Sequence, residues 1–125
     1  MNLIRRGVVA LLLVPGLAGA QSARSRGPNG GLVVIVDGHP VELVASGTEV
    51  ILFVSDEQGR PSSTRQASGR LTIQAEGRTS TVTLRPAEPN RLVGALQAPL
   101  ASGARLVFNG TIDHGHRVTA RYVIE

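Results

Sequence analysis

The chain has no cysteine, no tryptophan and no lysine, and only three aromatic residues among its 125. Without cysteine, disulfides, thiolate metal sites and a lipidated N-terminal cysteine are all excluded, so the fold must hold by packing alone. The single methionine is Met1, which leaves no thioether site for copper(I) in the body of the chain. All thirteen basic residues are arginine, and along the sequence they form no run. Nucleic-acid binding calls for a clustered basic stripe with aromatic residues to stack on. Phe53, Phe108 and Tyr122 are too few and too dispersed for that, so nucleic acid is not an expected partner. No phosphate loop, dinucleotide fingerprint, metalloprotease motif or Gly-x-Ser-x-Gly elbow occurs, and no enzyme activity is expected.

What is present begins with an export pattern. Arg5 and Arg6 precede an apolar run at 7–14, Pro15-Gly16 breaks it, and Ala18-Gly19-Ala20 supplies small residues for signal peptidase. That order of charge, grease and small residues is a secretory signal, and its greasy part is too short to span a bilayer. Residues 1–20 are therefore expected to be cleaved near Ala20, leaving a periplasmic protein with no membrane span. With Arg5 and Arg6 set aside, eleven basic residues face nine acidic ones, a weak net field. Residues 21–31, rich in Ser, Arg, Gly and Pro, read as a flexible leader.

From residue 32 to 125 no stretch has a helical apolar period. Short runs of Val, Ile, Leu and Thr alternate with turn residues every eight to twelve positions, the pattern of an all-β sandwich or barrel. Strands are expected at 32–36, 40–45, 49–55, 70–76, 79–85, 91–97, 104–112 and 116–124. The sequence predicts an immunoglobulin-like antiparallel β-sandwich of seven or eight of them. The run 50–54 is apolar on both faces and should be an interior strand. Pro86 to Pro89 should break the sheet, because proline cannot donate to a ladder.

Two hairpins make checkable predictions of register. A type II′ loop at Gly77-Arg78 would set Leu71 opposite Leu84 and Ile73 opposite Val82. A three-residue loop Asp113-His114-Gly115, a type I turn with glycine at the bulge, would set Ile112 opposite His116, Phe108 opposite Ala120 and Leu106 opposite Tyr122. In both, apolar residues meet apolar ones on one face, as a half-buried ribbon requires.

His39, His114 and His116 are the only histidines. His114 and His116 beside Asp113 could ligate Cu, Zn or Ni, since imidazole and carboxylate suit those ions; turn chemistry alone also accounts for Asp113 and Gly115. His116 should point to the core side and His114 to solvent. His39 follows the Asp37-Gly38 hairpin signal, and Glu42, three residues on, should face the opposite way in an extended strand. The polar segment 56–68 is the longest loop and the first choice of contact surface.

Gly30-Gly31, the run 38–44, Phe53-Val54-Ser55-Asp56 with Gly59 and Pro61, and 83–87 with Asn90-Arg91-Leu92 follow one order. In this order the segment from Gly30 to about Val107 resembles small exported β-sandwich domains found beside periplasmic adaptor subunits of heavy-metal efflux systems in proteobacteria. The resemblance implies a non-enzymatic binding or accessory module with a protein partner in the cell envelope and a link to heavy-metal handling. A direct metal-ion carrier using surface histidines is the alternative. The chain departs from that group at Asn29, where a histidine is common, and at Phe53, where tyrosine is. His39 and Glu42 are the matching positions that the resemblance marks as metal-binding.

Overall fold

The computed structural model describes residues 25–125, so the expected signal and cleavage site lie outside the described residues. The described residues form nine strands: β1 (Ser25–Arg26), β2 (Leu32–Val36), β3 (His39–Ser46), β4 (Glu49–Val54), β5 (Ser68–Ala75), β6 (Arg78–Ala87), β7 (Arg91–Ala95), β8 (Arg105–Ile112) and β9 (His116–Val123). All pair antiparallel, in the order β1-β2-β3-β4-β7-β6-β5-β8-β9. β4 lies between β3 and β7, the interior position expected from its apolar run.

The all-β class holds, but the two-sheet sandwich gives way to one continuous sheet that curls until β9 lies beside β2, nearly closing as a barrel. The cause is β6. Its first part, through Leu84, pairs with β5, and Arg85, Pro86 and Ala87 pair with β7, so one strand belongs to both halves. The break expected from Pro86 is therefore displaced to 88–90. Pro86 stands opposite Leu92 of β7, beyond the last residue of β6 that pairs with β5, and such a one-sided stretch tolerates a residue without an N–H.

The hairpin registers divide. In β8–β9 every expected pair is found, Leu106 with Tyr122, Phe108 with Ala120 and Ile112 with His116. The turn itself is not type I, because Asp113, His114 and Gly115 all have positive φ (46°, 62° and 86°). In β5–β6 the register is two residues away from expectation, with Leu71 opposite Val82 and Ala75 opposite Arg78. The turn is Glu76-Gly77, with φ of 54° and 77°, a primed turn whose twist matches that of the strands. A shift of two keeps each residue on its own face, so the apolar set still points inward.

The core fills the curl. Val41, Leu43, Val50, Leu52, Val54 and Leu92 from one half meet Leu71, Leu84, Leu106, Phe108 and Tyr122 from the other, all buried. At ~1.5–3 kcal/mol per large apolar side chain, this face is the dominant stabilising term. Gly69 and Gly110 are cross-strand partners, and the Phe108 ring lies where their Cβ atoms would be. Tyr122 Oη donates 2.9 Å to the Val41 carbonyl, tying β9 to β3 across the core, and burial pushes its phenol above the usual tyrosine range. No helix among the described residues is long and apolar enough to cross a membrane.

Candidate functional site

Two tight connections meet at one end of the curl. Asp37-Gly38 joins β2 to β3 with φ of 50° and 84°, a two-residue primed turn with Val36 opposite His39. The 113–115 turn joins β8 to β9 at the same end. There the Asp37 carboxylate meets His116, with Nε2 to Oδ2 at 2.9 Å, although 79 residues separate them. The imidazoles of His39 and His116 are 5.9 Å apart and tilted by 40°. His39 Nε2 is 3.7 Å from Asp113 Oδ2. Glu57 leans over Gly38 from the following loop.

His39 is buried and its Nδ1 is 3.1 Å from the Ser55 carbonyl. A carbonyl only accepts, so Nδ1 carries a proton, and Nε2 is the ring nitrogen that faces Asp113. A metal-binding imidazole is oriented in this manner, with its second nitrogen anchored to a carbonyl. His116 is half-exposed against His39, and His114 projects to solvent with its side chain 93% exposed, 3.8 Å from Asp113 Oδ1. Among the described residues no group of three or more His, Asp or Glu converges closely enough to hold a metal ion. Paired contacts are present, and a complete ligand set is not.

Glu42 belongs elsewhere. It is buried on the opposite face from His39, as the strand period requires, and its carboxylate accepts from Asn29 N at 2.9 Å, Asn29 Nδ2 at 3.0 Å and Gly31 N at 2.7 Å. Gly27 packs directly on the same carboxyl. Residues 25–31, read from composition as leader, are thus drawn onto the barrel: β1 pairs with β2, and the loop after it closes over a buried anion. Charge-assisted bonds of this kind are roughly twice as strong as neutral ones. Asn29 supplies two of the donors, its backbone N–H and its side-chain amide.

The 55–67 loop is pinned as well. Ser55 bridges to Pro61, Ser62 N donates to the Val54 carbonyl at 3.0 Å, and Thr64 is buried with its Oγ1 donating to the Ala87 carbonyl at 3.3 Å. At its tip the Arg60 backbone N–H, joined by the Gln58 N–H and the Arg60 guanidinium, holds the exposed Asp56 carboxyl below the usual range. The loop's exposed residues are the run 57–61 and, beyond it, Ser63, Arg65 and Gln66.

Sequence reading placed Asp113, His114 and His116 on one turn and His39 on another. It missed that the turns meet, and it missed Asp37 as the partner of His116. Local spacing carries no signal for that contact; only the order of strands in the sheet creates it. No family model, no curated protein and no solved structure matches this chain.

Proposed function

We propose that this chain is a non-enzymatic accessory module, exported to the periplasm, and that the barrel end carrying Asp37, His39, Asp113 and His116 is its contact surface for a protein partner of the cell envelope. The carrying observation is the 2.9 Å contact between Asp37 and His116, which holds two distant hairpin turns together as one polar surface. Each close imidazole contact there goes to a carboxylate or a carbonyl, which positions turns and does not activate a hydroxyl. The framework would work as an immunoglobulin-like domain does, with rigid strands presenting loops at one end. Export rests on the signal pattern of residues 1–20, and the link to heavy-metal efflux rests on the resemblance of residues 30–107.

A second reading, transition-metal carriage with Cu, Zn or Ni, is favoured by the anchored Nδ1 of His39, which leaves Nε2 free to ligate. The ion would need the 113–115 turn to bring Asp113 and His116 inward.

A photo-crosslinking residue placed at the exposed His114 should yield a specific envelope adduct in the native host, and one placed at Ser102, at the opposite end, should not. Equal labelling at both ends, or an uncleaved product in the cytosol, refutes the module. Calorimetry with Cu(II), Zn(II) and Ni(II) separates the second reading: tight binding abolished by H39A and by H116A favours the carrier, and its absence leaves the protein-contact module.

A further inference from the structure

The arginines that form no run along the chain form a surface in the folded sheet. In β5, β6, β8 and β9 the residues that alternate with the core point outward. Those outward positions carry Arg70, Arg85, Arg105, Arg117 and Arg121, all exposed, and no aspartate or glutamate. Register sets them in rows: Arg70 lies between Thr83 and Asn109, Arg117 beside Thr111, and Arg121 beside Val107. Among the described residues the arginine–carboxylate ion pairs use Arg26, Arg60 and Arg65, and none of these five. Five uncompensated cations on one face of a chain with a small net charge are a concentrated feature.

A groove of about 730 Å³ crosses this face, with Arg70, Thr83, Asn109, Thr111, Arg117 and Thr119 along it. Asp37 is the acid at its rim, and that carboxylate already faces His116. Strands lie ~4.8 Å apart and alternate residues ~6.8 Å apart, so Arg70 and Arg117, two strands and two residues from each other, stand ~12 Å apart on the diagonal, and Arg117 and Arg121 ~13 Å apart along β9. These are spacings for a polymer with repeated anionic groups.

We propose that this face docks an acidic polysaccharide. Guanidinium groups match carboxylate or sulfate in a two-pronged fashion. The threonine hydroxyls and the Asn109 amide between them both donate and accept, as sugar hydroxyls demand. Nucleic acid fits less well, because Phe108 and Tyr122 are turned into the core and no aromatic ring is offered to a base. A lipid surface fits less well too, since the face has only the half-buried Val107 and, at its edge, Val123 to insert.

The test uses the purified protein against immobilised heparin and polygalacturonate, with neutral dextran as reference, and with single-stranded DNA and phosphatidylglycerol vesicles as rivals. Both acidic polysaccharides should bind, dextran should not, and affinity should fall as salt rises. The triple variant R70Q/R117Q/R121Q should bind about tenfold more weakly with its thermal midpoint unchanged. The variant R26Q/R60Q/R65Q, with the same loss of charge at ion-paired positions, should stay within about twofold of the native affinity. Equal weakening in both variants, no retention on either polysaccharide, or tighter binding to DNA or vesicles would overturn the proposal.

Discussion

Alkaline unfolding of this protein should be the titration of one side chain. The chain has a single tyrosine and neither lysine nor cysteine, and arginine stays protonated beyond pH ~12. Tyr122 is buried with its hydroxyl on the Val41 carbonyl, and burial raises its pKa in the folded state. The unfolded chain therefore releases the phenolic proton above pH ~10 while the folded one keeps it. With more protons bound in the native state, stability falls as pH rises, by ~1.4 kcal/mol per pH unit. By pH ~12 the loss is about 2.7 kcal/mol. In Y122F that titration is gone, at the cost of one hydrogen bond, about 1 kcal/mol. The variant should thus be the weaker protein at neutral pH and the stronger one above about pH 11. Urea unfolding followed by far-UV circular dichroism across this range measures both curves. A native protein whose stability stays flat from pH ~9 to ~12, or a Y122F curve that falls in parallel with it, would refute the account.

Two further substitutions probe the frame. E42Q keeps the shape but sets an amide against donors from Asn29 and Gly31, and should cost about 1.5–3 kcal/mol in thermal or urea unfolding; an unchanged midpoint would mean the buried anion does not hold residues 27–31. E76N relieves a glutamate held at φ 54° in the β5–β6 turn and creates Asn-Gly, the preferred primed pair, so unfolding free energy should rise by about 0.5–1 kcal/mol.

Strand existence was legible from the chain because alternation and turn residues are local, and eight of the nine strands were anticipated nearly to their ends. The ninth, β1, was not, since two residues of a Ser- and Arg-rich leader carry no periodic signal and are placed by pairing with β2 and by the pull of Glu42 on the loop behind them. The β8–β9 register followed from loop length, because Gly115 leaves little choice of position. In β5–β6 the same logic failed: a glutamate at positive φ is disfavoured locally, yet β5 is also fixed by β8 on its other side, with Leu71 opposite Phe108, and the hairpin accommodates it. The order of strands was not legible, since β4 beside β7 and β5 beside β8 are pairings between distant segments. What depends on that order, the meeting of Asp37 with His116 and the gathering of five arginines on one face, was out of reach for the same reason.

The double membership of β6 bears on how the molecule comes apart. A strand hydrogen-bonded to β5 along most of its length and to β7 at its end leaves no seam at which one half could loosen while the other stayed intact. Mechanical load on either hairpin is passed through a shared backbone, so melting should be all-or-none, and fragments cut at the Glu76-Gly77 turn should lose both halves together.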